Sequence, residues 1–153
     1  MPYLTVDGVK IPQSASIARY VAKEFGLAGE NNLQQAQADA IVDCLVEIQN
    51  AFYSDVAFVK TDKAQAVRNF LEKSVNPNFE KIEKLVKMYG RNGWSVGSSL
   101  TWADLFIYEL SNNILEVESG AFDKFLDITK IRKLVESTPK VSEYIRARAK
   151  TGF

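Results

Sequence analysis

The sequence predicts a mainly α-helical protein, in which a β-hairpin and one helix precede an all-helical domain. Three observations predict it. Asp7-Gly8 separates two short β-type runs close to the N-terminus. From Leu33 onward the apolar residues recur at a spacing near 3.6, and no alternating stretch follows. Glycine and asparagine gather between these two regions, over Gly26 to Asn32, and mark the boundary.

Each element has a local cause. Leu4-Thr5-Val6 and Val9-Lys10-Ile11 flank Asp7-Gly8, a dipeptide that accepts the left-handed backbone of a two-residue hairpin turn. Ser14 has the residue type of an N-cap. Behind it Ile17, Ala18, Val21, Ala22 and Phe25 form one apolar stripe over Ala15 to Phe25, which Gly26 ends. Ala36, Ala40, Ile41, Leu45, Ile48 and Phe52 predict a long helix from Leu33 to about Val59. A second runs from Lys63 to Tyr89, with a kink near Val75-Asn76, because Pro77 removes a helix hydrogen bond and restricts its predecessor. Gly90 to Gly97 reads as a loop. Thr101 and Asp104 then have capping-box spacing, with Leu100 and Leu105 placed for a hydrophobic staple. The helix from Trp102 to about Leu115 is apolar on most sides, as a buried central helix is. Shorter helices follow over Ile128 to Glu136 and Pro139 to Ala149, the last opened by a proline at its first turn.

Composition excludes several function classes. At 153 residues and 46% hydrophobic content, the chain can build a core without metal or disulfides. Nineteen basic residues balance nineteen acidic ones, and no basic stripe interleaved with aromatics argues for a nucleic-acid partner. Arg132-Lys133 and the basic residues of Arg146 to Lys150 read as solvated helix faces. There is no histidine, so no Ser-His-Asp triad, Cys-His dyad or histidine-ligated zinc can form within this chain. No metal site is expected. Cys44, the one cysteine, lies in an apolar helical run and reads as a buried hydrophobe. No apolar run approaches the ~20 residues of a membrane span. The N-terminus lacks the pattern of a signal peptide, so a cytoplasmic protein without a membrane partner is expected.

The remaining candidate site is the start of the first helix. A helix N-terminus after a tight turn presents free N–H groups and a partial positive charge, which attract a carboxylate or phosphate. Ser14 adds a hydroxyl and Gln13 an amide. Pro2 stands just before an edge strand, where a cis bond would turn the preceding backbone outward. The plainer readings of the same residues are an N-cap at Ser14 and a strand breaker at Pro2.

The segments Met1 to Gly8, Ile11 to Tyr20, Phe25 to Gly29, Asp39 to Asp43 and Gly97 to Leu105 resemble the cytosolic glutathione transferases. The wording is most similar to the sigma class and to its nematode and other invertebrate members. Several motifs in the right order cover the whole chain. The resemblance implies that residues 1–28 are the end of a thioredoxin-like glutathione-binding domain and that residues 29–153 are the all-helical C-terminal domain. It implies that Pro2 is a cis-proline and that Met1 offers its backbone to the cysteinyl part of glutathione. Gln13 and Ser14 would hold the γ-glutamyl end. Glu47, counted from Gly29, takes the place of an acidic residue, more often aspartate, that reaches the γ-glutamyl amine across a dimer interface. Thr101 and Asp104 match the family's buried capping box, a folding element. Phe52 and Tyr53 are candidates for the electrophile pocket, with a core role equally open. Glutathione is implied as substrate rather than cofactor, with an electrophile as second substrate and a homodimer as the assembly.

The resemblance also implies a departure. In the family a strand, a helix and a second strand precede the position of Met1, and they carry the tyrosine that stabilises the glutathione thiolate. Tyr3 matches no catalytic position, so no catalytic residue is expected in this chain. The expectation is a truncated transferase that keeps the γ-glutamyl half of the site. A partial gene reading explains this better than a genuine short product, because nothing in the sequence compensates for the missing strands. The alternative is a non-catalytic transferase-like module that dimerises or docks on partners.

Overall fold

The computed structural model describes residues 2–149. Strands β1 (Tyr3–Val6) and β2 (Val9–Pro12) form an antiparallel hairpin in which Val6 faces Val9 and Tyr3 faces Pro12. Asp7 and Gly8 both have positive φ, 48° and 82°, as the two-residue turn requires. Helix α1 (Ser14–Glu24) follows. Ser14 is the first helical residue rather than the N-cap. That position belongs to Gln13, whose carbonyl accepts the Ile17 N–H at 2.9 Å. Phe25, placed by its spacing on the apolar stripe, is instead 75% exposed, because the helix has ended at Glu24 and Phe25 is its C-cap.

The stretch from Gly26 to Asn32 is stitched to the helical domain rather than free of it. The Leu27 carbonyl accepts the Trp102 N–H at 2.8 Å, and Ala28 is buried. Gln34 folds back so that its Oε1 accepts the Glu30 N–H at 3.0 Å. A Cβ at Gly29 would lie 2.9 Å from the Gln34 backbone, so a glycine is needed at this approach.

Helix α2 (Asn32–Phe52) is opened by Asn31, whose side chain accepts the Gln34 N–H at 3.0 Å. The long helix expected as far as Val59 loses its α-helical spacing at Phe52 and closes in a π-turn, Tyr53–Ala57. The second expected long helix is divided in the same way into α3 (Lys63–Phe70), a π-turn over Leu71–Val75, and α4 (Asn76–Tyr89). The kink sits where Pro77 demands it. Proline supplies no N–H and its ring clashes with the carbonyl four residues back, and the wider π-turn relieves that clash. The Asn78 side chain donates to the Ser74 carbonyl at 3.0 Å, satisfying an acceptor at the break.

Helices α5 (Trp102–Val117), α6 (Leu126–Ser137) and α7 (Pro139–Ala147) complete the bundle. Helix α5 is the central one. It packs between α2 and α6 and also touches α1, and Trp102, Ala103, Ile107, Leu110 and Ile114 are buried along it. The core continues through Ile41, Leu45 and Ile48 of α2, Phe79 and Ile82 of α4, and Ile128 and Ile131 of α6. Phe79 meets Phe122 edge to face, with centroids 4.8 Å apart. Cys44 is buried on α2, where burial pushes its thiol pKa up, with the charge of Lys81 acting in the opposite sense.

Two basic residues depart from the solvated role that their spacing suggests. Arg132 of α6 is half-buried. Its guanidinium donates to the Tyr108 carbonyl at 3.3 Å, to Asn112 Oδ1 at 2.9 Å and to Ser111 Oγ, tying α6 to α5. Arg148 pairs with Glu109 of α5 at 3.0 Å.

The capping box at Thr101 and Asp104 is present and fully buried. Asp104 Oδ2 accepts the Thr101 N–H at 2.7 Å and the Thr101 hydroxyl at 2.8 Å, while Oδ1 accepts the Ser95 N–H at 2.8 Å. Burial pushes the carboxyl pKa above the ordinary value, and the bonds from Ser95 and Thr101 act against that shift. Replacing Asp104 with alanine leaves two buried backbone donors without acceptors. A loss of about 2–5 kcal/mol is expected, read as a lower urea midpoint with an unchanged slope.

Candidate functional site

The site is built around the start of α1. Pro12 ends β2, and Gln13 turns the chain with φ 73° and ψ 121°, a conformation that costs a non-glycine residue ~1–3 kcal/mol. The turn opens α1 without a side-chain cap on its first N–H groups. Gln13 has no side-chain capping bond to the helix, and both Gln13 and Ser14 are exposed. Their amide and hydroxyl therefore stand at the positive end of α1 and can meet an anion.

Ser14 also lines a cleft of about 550 Å³ between α1 and α5. Ile17, Ala18 and Val21 form its α1 wall, and Leu105, Phe106 and Leu110 its α5 wall. Pro2 closes one side, while Gln49, Glu109 and Asn113 add polar groups. The arrangement suits a ligand with a polar anionic end at Ser14 and an apolar body along the cleft. Glu109 keeps the Arg148 ion pair at this cleft, so one charge of each sign lies near it. The bond to Glu109 raises the Arg148 pKa above its ordinary value.

The other site residues read from the sequence are distributed as follows. Glu47 is exposed on α2, one turn beyond Asp43 and two beyond Asp39, so the three carboxylates share one helix face. Phe52 is 2% exposed with its ring edge-on to Phe70, 5.7 Å between centroids. Tyr53 stacks on Phe58 at 6.4 Å. Neither is among the residues lining the cleft; Gln49 is the residue of α2 that lines it. Met1, and with it the bond preceding Pro2, lies outside the described residues. Among the described residues, no group of three or more acidic or cysteine side chains could hold a metal ion, and no helix is long and apolar enough to cross a membrane.

Sequence reasoning missed Gln49, Leu105, Phe106, Glu109 and Asn113. They lie on two helices distant in sequence, and their convergence is a product of packing. Gln49 interrupts the apolar residues near the end of α2, and Glu109 and Asn113 lie four residues apart on α5, among its polar residues Asp104, Ser111, Asn112 and Glu116. Those interruptions were the available signal.

Gln13→Gly tests whether the strained turn is held for its side chain. Glycine adopts positive φ without the Cβ penalty, so the variant is expected to be about 1 kcal/mol more stable in urea denaturation. Lower stability would show that the strain at Gln13 is smaller than the chain entropy that glycine adds to the unfolded state.

Comparison with known proteins gives the family. Residues 43–148 match the model of the glutathione S-transferase C-terminal domain. Hematopoietic prostaglandin D synthase of Gallus gallus is 37% identical over 155 aligned positions, which cover 100% of this chain and 75% of that protein. Probable glutathione S-transferase 6 of Caenorhabditis elegans is 36% identical, covering 97% of this chain and 73% of its own length. Among solved structures, the monomeric glutathione S-transferase Na-GST-3 of Necator americanus superposes with a TM-score of 0.86 at 32% identity, covering 100% of this chain and 76% of that one. The match runs through both the hairpin with α1 and the helical bundle, so the chain belongs to the glutathione S-transferase family.

Proposed function

We propose that the chain is a sigma-class-like glutathione transferase chain whose residues supply the γ-glutamyl half of a glutathione site. The observation that carries this reading is the α1 N-terminus, with Gln13 and Ser14 exposed at its positive end and opening directly onto an apolar cleft. Glutathione would place its γ-glutamyl carboxylate against the first N–H groups of α1, with the Ser14 hydroxyl and the Gln13 amide as further donors. Met1 and Pro2 would pair with the cysteinyl part. The apolar walls of α1 and α5 would receive the electrophile, with Phe106 and Leu110 nearest in character to such a ligand. Residues 1–28 then act as the glutathione-binding part and residues 29–153 as the helical domain.

In a protein that also carries the family's tyrosine-bearing strand–helix–strand segment, the reaction is attack of the glutathione thiolate on an electrophile, or a glutathione-dependent isomerisation. Among the described residues lining the cleft, none is a tyrosine or a cation of the kind that would lower the thiol pKa. Glu109, the acid of the lining, is already paired with Arg148 at 3.0 Å. That lining, without lysine, arginine or tyrosine, favours a second reading, a binding or dimerising module without turnover. Assembly as a homodimer would present the α2 face to a partner copy, where Glu47 could meet the γ-glutamyl amine. The proposed compartment is the cytoplasm, where glutathione is held reduced.

Titration of the 153-residue chain with glutathione, combined with an assay using a generic aryl halide electrophile, tests the reading. Weak saturable binding is expected, about tenfold weaker but still measurable on replacing Gln13 and Ser14 together with alanine, without turnover above the uncatalysed rate. Unchanged affinity in the double variant would remove the carboxylate site. Turnover well above background would show that the thiol is activated within this chain and would exclude the module reading.

A further inference from the structure

Arg19 makes more connections than any feature of its sequence context suggests. Its Nε donates to Asp39 Oδ1 at 2.9 Å, its Nη2 lies 3.7 Å from Asp43 Oδ1, and its guanidinium sits over the Trp102 ring, 5.3 Å from the centroid. The partners come from two elements, α2 and the first turn of α5, and the arginine side chain is only 29% exposed. A planar guanidinium with five donors can bond in its plane and stack on its face at the same time, which a lysine ammonium cannot do.

Trp102 also holds the far end of α1, because its own N–H donates to the Leu27 carbonyl at 2.8 Å. One residue of α5 therefore grips α1 through Arg19 and the turn after α1 through Leu27. Trp102 in turn is the first residue of the helix whose start Asp104 fixes. The remaining attachment of α1 to the bundle is apolar, through Ala22 and the residues beside the cleft. Such contacts resist separation but not sliding or rotation, since apolar burial has no direction. The directional bonds of Arg19 supply the angle.

We propose that Arg19 is a positioning residue for the Gln13–Ser14 site. By fixing the direction of α1 against α2 and α5, it sets where the helix N-terminus points and how wide the cleft stands between Ile17, Val21 and Phe106. This inference rests on the ligand reading given under Proposed function.

The test uses S-hexylglutathione, which offers a γ-glutamyl end for α1 and an apolar tail for the cleft. Affinity is measured for the full chain, R19K and R19Q at a temperature where circular dichroism shows each fully helical. R19Q is expected to bind about tenfold more weakly, the size expected when a charge-assisted hydrogen bond loses its alignment. R19K keeps the ion pair with Asp39 but not the fork or the stacking, and is expected to fall between. In the Gln13→Ala/Ser14→Ala background, R19Q is expected to cause no further loss, because the group it positions is gone. Wild-type affinity in both folded arginine variants would overturn the proposal and leave Arg19 a stabilising residue only. An equal loss in the double-alanine background would overturn it too, since Arg19 would then act elsewhere. If R19Q does not fold, R19K decides between these outcomes. Failure of the wild-type chain to bind S-hexylglutathione would overturn the ligand reading itself, and this inference with it.

Discussion

The buried carboxylate of Asp104 is the constraint on which the arrangement of the site depends. An ionisable group in an apolar interior is unfavourable unless its lone pairs are satisfied. Here three donors meet it, two from Thr101 and one from Ser95. The carboxylate thereby fixes the first turn of α5 and ties it to the loop after α4. The opposed influences on its pKa express the same balance, burial raising it and the donors lowering it. The residue next to the cap is Trp102, so the fixed helix start becomes an anchor for whatever binds Trp102.

What binds Trp102 is the N-terminal part of the chain. The Leu27 carbonyl takes its N–H and the Arg19 guanidinium covers its ring. The order of dependence therefore runs from the core outward. A packed α5 places Trp102, Trp102 and the α2 carboxylates place α1, and α1 places Gln13 and Ser14 at the cleft. The hairpin and α1 alone bury too little apolar area to hold such a geometry. They borrow rigidity from the bundle, while the cleft between them and α5 stays open to a ligand.

Much of this was legible in sequence because it depends on short-range chemistry. Asp7-Gly8 specifies its turn, Thr101 and Asp104 specify their helix start, and Pro77 marks the break between α3 and α4. The tight turn and helix start at Gln13 and Ser14 were legible for the same reason, although the roles within them shift by one residue. Ser14 has the residue type of a cap, but the chain leaving Pro12 needs one residue of positive φ before the helix, and Gln13 fills that place. The π-turn at Tyr53–Ala57 had no such local signal, since no proline or glycine lies within it. Arg132 read as a surface charge because its partners, two of them near the middle of α5, are about 20 positions away in sequence. Likewise, the cleft walls come from α1 and α5, and only tertiary packing brings those helices together.

The same distinction separates binding from chemistry in this chain. A helix N-terminus recognises an anion with backbone groups, so a site of this kind survives wherever the helix is held in place and needs few particular side chains. Lowering a thiol pKa is different, because it needs a donor or positive charge at one defined point beside the sulfur. Around the cleft the described polar residues are Ser14, Gln49, Glu109 and Asn113. Two are neutral amides, one is a hydroxyl at the start of α1, and one is an acid already paired with Arg148 at 3.0 Å. A recognition site at Gln13 and Ser14 would sit on a helix end that the helical domain fixes in place, whereas a thiolate-stabilising group has to stand at one point beside the sulfur.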